Sequence, residues 1–191
     1  HVIDGVATGP GGGRTRDREA IYSRLRDMTY QALKLETAWQ LKIENLRVEE
    51  GLVRGKVTVT QQTDGASSAE VSDGDATFSN HRLCVVLAER GVLFPGSSKV
   101  VIHRMLARAP LTPSHSGLEV ELKAGQMVFE FEVSLDLIRK QNETWLQEAM
   151  DAGKGQTVMM STALDPEQLS VVAYIRSTST GRIEQAAQVH H

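Results

Sequence analysis

The sequence predicts a mainly β protein: an antiparallel immunoglobulin- or fibronectin-like β-sandwich with an N-terminal amphipathic helix and one short inserted helix. Three observations carry that expectation. Seven or so segments show strand patterning with turn formers between them. They follow one another without the βαβ rhythm of a parallel sheet. Two stretches, Leu83 to Arg108 (LCVVLAERGVLFPGSSKVVIHRMLAR) and Leu169 to Ala187 (LSVVAYIRSTSTGRIEQAA), each read as strand, turn and strand.

The first residues, HVIDGVATGPGGG, run from an apolar strand end through an Asp4-Gly5 turn into a Gly/Pro-rich loop. Asp17 then stands where an N-cap belongs, and Ile21, Leu25, Met28, Ala32 and Leu35 recur at helical spacing. That spacing predicts an amphipathic helix over 17–35 whose stripe is a packing face. The period next changes to two: Trp39, Leu41 and Ile43 alternate with polar residues, Glu50-Gly51 turns the chain, and Gly55, Val57 and Val59 alternate on the way back. Residues 62–80 are polar and rich in turn formers, and Asp64, Glu70, Asp73 and Asp75 make them an acidic loop. The run Asp73-Gly74-Asp75 lacks the glycine position and the twelfth-position glutamate of a calcium loop.

Leu83 to Ala88 is continuously apolar, as a strand covered on both faces requires. Phe94 to Ser98 reads as a turn, Val100 to Ala107 as the next strand, and Pro110 and Pro113 as an irregular connection. Met127, Phe129, Phe131 and Val133 alternate with Val128, Glu130 and Glu132, which predicts a strand with one buried face. A helix is expected at 136–150 with Ile138, Gln141, Trp145 and Ala149 along one side, ended by Gly153 and Gly155. A last hairpin runs out through Leu169, Val171, Ala173 and Ile175, turns at Thr178 to Gly181, and returns through Ile183.

The 191 residues, 40% hydrophobic and 24% charged, suffice for a sizeable core. A net charge of −3 argues against broad binding to nucleic acid or anionic membranes. The arginines at 14, 16, 18, 24 and 26 are interleaved with Asp17, Glu19 and Asp27, the pattern of a solvated helix face. No apolar run approaches the ~20 residues of a membrane span. The lack of an initiator Met and the terminal His190-His191 pair read as processing edges, 190–191 as a tag remnant, and both histidines are left out of site arguments.

Chemically conspicuous residues are few. Cys84 is the one cysteine, so the chain holds no dithiol, and its apolar run marks it as a buried small hydrophobe. His103 and Arg104 are neighbours on a strand and point to opposite faces. His81 opens the preceding strand, so His81 and His103 are candidate metal ligands if the hairpin brings them to one face; without a third ligand no metal or other cofactor is assigned. Arg104 and Arg108 share a face and are expected to pair across strands with Glu130 and Glu132. No GxSxG elbow is present, Gly9 to Gly13 lacks the ending of a phosphate loop, and the sequon at Asn142 falls in the expected helix. No catalytic residue is assigned.

The pattern through Glu89-Arg90-Gly91-Val92, Phe94-Pro95-Gly96 and His103-Arg104, followed by Leu169 to Ala187, is similar to secreted bacterial proteins that join a thioredoxin-like domain to a C-terminal β-sandwich. It also resembles a related family of outer-membrane proteins. The resemblance covers about 39–189. It implies that residues 1–36 are the strand and helix tail of a thioredoxin-like domain, that 37–189 form the sandwich, and that the CxxC and cis-proline loop lie upstream of His1. It implies an extracytoplasmic address: periplasm, cell envelope or secreted. The expected role is that of a non-catalytic module, interacting or structural, whose partner is a protein or the upstream domain and which docks through its edge strands or the 62–80 loop. Two other roles fit the same residues: a fragment of a thiol-disulfide oxidoreductase, and a subunit of a larger envelope assembly.

Overall fold

The computed structural model describes residues 2–3, 7–8, 17–62, 75–93, 102–154 and 162–191. Short strands β1 (Val2–Ile3) and β2 (Ala7–Thr8) pair antiparallel and precede helix α1 (Arg18–Leu33). The Asp4-Gly5 turn, the Gly9 to Gly13 run, Asp64, Glu70, Asp73, the Phe94 to Ser98 turn and Gly155 lie outside the described residues.

Two antiparallel sheets form the body. Strands β3 (Trp39–Glu49), β4 (Leu52–Gln61) and β8 (Gln126–Ser134) make the smaller one, in the order β3-β4-β8. The hairpin between β3 and β4 turns at Glu50-Gly51, where both residues have positive φ (53° and 74°), the geometry that keeps a two-residue turn in step with strand twist. In the larger sheet β5 (Ala76–Leu93) is the spine. Along one edge it pairs with β9 (Leu169–Ser177), which carries β10 (Ile183–His190) outside it. Along the other it pairs first with β7 (Leu118–Leu122), then with β6 (Ile102–Pro110). Three strands against four, with β7 added, is the immunoglobulin/fibronectin-type sandwich that the patterning predicts.

The core lies between the sheets. Odd-numbered residues of β5 and β9 stand opposite one another in register, as Leu83↔Ile175, Val85↔Ala173 and Leu87↔Val171. All six are inaccessible to solvent, facing Val53, Val57, Val59 and Phe131 of the smaller sheet. Each of the Val, Leu and Ile side chains among them contributes roughly 1.5–3 kcal/mol on burial.

Three expectations are corrected. The strand opening at Leu83 in fact begins at Ala76, taking the end of the supposed 62–80 loop into β5. The connection after Pro113 contains β7, whose Leu118-Glu119-Val120-Glu121-Leu122 alternation was present in the sequence but too short to stand out beside the prolines. Helix α2 (Leu135–Ala149) turns a different side inward: Ile138 is buried, Asn142, Leu146 and Ala149 are half-buried, and Gln141 and Trp145 face solvent. Ser134 caps α2 with its hydroxyl accepting from the Leu137 amide at 3.4 Å, so the helix starts directly out of β8 and its rotation follows from that strand.

α1 departs further. Ile21, Leu25, Met28 and Ala32 are half-covered as the stripe predicts, but Leu35 is exposed and no residue of the helix is buried.

Candidate functional site

His81 is placed by β5 at the seam where the two sheets meet along β3 and β10. Its Nε2 lies 3.1 Å from Glu184 Oε2, and the same oxygen accepts the Trp39 indole N–H at 3.0 Å. Trp39 packs edge-on against Phe78 with centroids 4.9 Å apart, its ring lies 5.2 Å from His81, and its backbone carbonyl accepts from the Gln185 side chain at 3.0 Å. The indole is buried while the imidazole and carboxylate are part-exposed. A carboxylate–imidazole pair can relay a proton, but here Glu184 is shared with an indole and Gln185 ties the same strands. The arrangement is a clamp joining β3, β5 and β10.

His103 is elsewhere. It stands opposite Val92, eleven positions along β5 from His81 and so a strand contour of about 36 Å away. The hairpin does not bring the two histidines together. Among the described residues no three His, Cys, Asp or Glu side chains converge as metal ligands.

The second polar centre is buried. Glu89 ends the inward series Leu83, Val85, Leu87, and its Oε2 accepts from Arg108 Nε at 2.7 Å, with the two side chains 6% and 1% exposed. Arg108 also donates to the Ala163 carbonyl at 3.0 Å, and Glu89 Oε1 accepts from the Asp165 amide at 3.3 Å. Arg90 adds a bond to the Glu167 carbonyl at 2.6 Å. These contacts fasten residues 163–167 to the end of β5 as the chain enters β9. The expected pairing of Arg104 and Arg108 with Glu130 and Glu132 does not form, because β6 and β8 belong to different sheets: Arg104 is exposed opposite Gly91, and Glu132 pairs with Arg54 at 2.5 Å.

Cys84 points to the other side of the larger sheet from the core, beside Tyr174 in register. The segment before β7 covers it: the thiol lies 3.8 Å from the Ser116 carbonyl, and a Cβ on Gly117 would come within 2.7 Å of the sulfur. Burial pushes the thiol pKa up, against a smaller opposing effect of the Tyr174 hydroxyl. Burial also raises the Tyr174 phenol. A protonated thiol under a covering loop is a poor nucleophile.

At the surface, α1 exposes Tyr22 (65%), Tyr30 (57%) and Leu33 (74%), with Leu35 (52%) just beyond it. Of the residues at these centres the sequence singled out Cys84, His81 and Arg108, the last with other partners. Glu184 meets Trp39 and His81 across the seam between the sheets, and Glu89 meets Arg108 at an irregularity in β6.

No protein-family model and no curated protein sequence matches the chain. Among solved structures it is similar to HBP35 of Porphyromonas gingivalis, with a TM-score of 0.54 at 10% identity, covering 90% of this chain and 45% of that one. It is also similar to a domain of the outer membrane lipoprotein Omp28 from Porphyromonas gingivalis, with a TM-score of 0.46 at 10% identity, covering 82% of this chain and 89% of that one. The chain spans less than half the length of the first of these, and the likeness to it is one of fold.

Proposed function

We propose that the chain is a non-catalytic, extracytoplasmic β-sandwich module, the interaction or structural domain of a thioredoxin-like envelope protein, with α1 packing at the domain junction. The observation that carries this reading is α1 itself. A helix with no buried residue and with Tyr22, Tyr30 and Leu33 open to water is not stabilised by its own domain, because most helical stability in proteins comes from packing one face. A neighbouring domain supplies that packing. The motif resemblance supports the envelope address. The contacts of Cys84, His81 and Glu89 support a structural rather than a chemical use of the polar groups.

Hydrogen exchange of α1 tests the reading, measured in this chain and in the longer envelope polypeptide that contains it. Slow exchange across Arg18–Leu33 is expected only in the longer polypeptide, and Tyr30→Ser with Leu33→Asp should abolish it without moving the unfolding midpoint of the sandwich. Equal exchange in both contexts, or insulin reduction by the present chain, would count against it.

A further inference from the structure

The two seams of the sandwich differ. On one side β3 and β10 are clamped by Trp39 and Glu184. On the other, β7 and β8 leave the Lys123 to Gln126 turn and diverge, β7 to pair with β5 and β8 with β4. Between them lies an open groove of about 590 Å³ lined by Leu118, Glu119, Glu121, Met127 and Val128. Among the described residues no strand pairs with the outer edge of β8 beyond the Lys123–Gln126 bridge at its start, which leaves that edge open to a further strand.

From this geometry we infer that the free edge of β8 receives an extended segment of a partner protein in which apolar residues alternate with Lys or Arg. The charge rows of the smaller sheet specify the basic residues. Glu44, Lys56 and Glu130 stand side by side across β3, β4 and β8, and Arg54 stands beside Glu132. The first row alternates in sign from strand to strand, the second has Arg47 opposite Arg54, and both end on carboxylates at the open edge. Lys42 and Lys56 hold the Glu44 carboxyl below the usual range, with the Lys42 contact at 2.7 Å the larger cause. A fourth strand continues the alternation only if it places cations beside Glu130 and Glu132. On the opposite face Met127 and Phe129 are half-buried, and apolar residues of the added strand complete their cover. Val128, 48% exposed, lines the groove two positions before Glu130. A second copy is the wrong occupant: antiparallel pairing of two β8 edges sets Glu130 and Glu132 against their own kind. This inference is independent of the reading of α1.

The test uses fluorescence anisotropy of the intact chain with a labelled, end-capped peptide of alternating valine and lysine, its valine–glutamate counterpart, and the lysine peptide N-methylated at alternate amides. The lysine peptide should bind, more weakly as salt rises, and slow hydrogen exchange in β8, while the other two should not bind. The exposed double change Glu130→Lys with Glu132→Lys should weaken the lysine peptide about tenfold or more and admit the glutamate peptide. Glu130→Gln alone should weaken it less, and its unchanged unfolding midpoint certifies the fold. No binding, equal binding of both peptides, indifference to the charge reversal, protection outside β8, or concentration-dependent dimers with β8 protected would each overturn the inference.

Discussion

A guanidinium only 1% exposed has to be matched by a carboxylate, and Arg108 finds Glu89 through a local irregularity in β6. Leu87 faces Ala109 and Ala88 faces Ala107, so Arg108 is an extra residue opposite the β5 ladder, beside Glu89. Arg104 and Leu106 stand opposite Gly91 and Glu89, so alternation already sets Arg108 on the Glu89 face; nothing in the composition marks the extra residue itself. Arg108→Met alone should destabilise the fold by about 3–5 kcal/mol in urea unfolding, because Glu89 is left buried without its counter-charge. Replacing both, as Glu89→Leu with Arg108→Met, should recover most of that loss. Cys84 was more legible, since an unbroken apolar run leaves a thiol nowhere to go but inside. Its raised pKa gives the pH dependence a definite sign. The unfolded chain releases the thiol proton near about pH 8.5 and the folded chain does so only at higher pH. The contribution is therefore complete below that value and declines as pH rises above it. Stability from chemical denaturation should fall through this window, and Cys84→Ala should flatten the fall.

Among the elements, period-two strands with one wet face were the most legible, because burial on a single side writes itself as alternation. β8 is the example: Met127, Phe129 and Phe131 face in while Val128, Glu130 and Glu132 face out, as the sequence predicts. Helix faces were less so. In α2 the stripe through Gln141 and Trp145 and the one through Asn142 and Leu146 both contain Ile138 and Ala149, and only the cap at the end of β8 decides between them. The segment before β7 was not legible at all, because what fixes it is a close approach. Gly117 has φ +86°, and a Cβ there would stand 2.6 Å from the Leu83 carbonyl oxygen. Gly117→Ala should destabilise by about 2–4 kcal/mol through combined backbone strain and overpacking. Gly91→Ala, on the same β5 but with nothing within 4 Å of the added carbon, should leave the unfolding midpoint in place.

At the scale of the molecule, the fold class followed from strand count and turn spacing, whereas the two seams did not. Trp39, Phe78, His81 and Glu184 come from three strands and more than a hundred positions of chain, so only the assembled sheets bring them together. The open seam is likewise invisible locally, since a strand's sequence does not say which of its edges stays unpaired.

The length of β5 has a consequence in time. Its partners are β6 and β7 just after it, and β9, where Leu83 meets Ile175 more than ninety positions later. As the polypeptide is made, the β3–β4 hairpin and the β5–β6 pair can close at once, but the face bearing Leu83, Val85 and Leu87 waits for β9 with its edge bare. Closing so long a loop is the slow, entropically opposed event. Until it happens, the most apolar strand of the chain is its most adhesive one, and a nascent molecule depends on β9 arriving before a neighbour does.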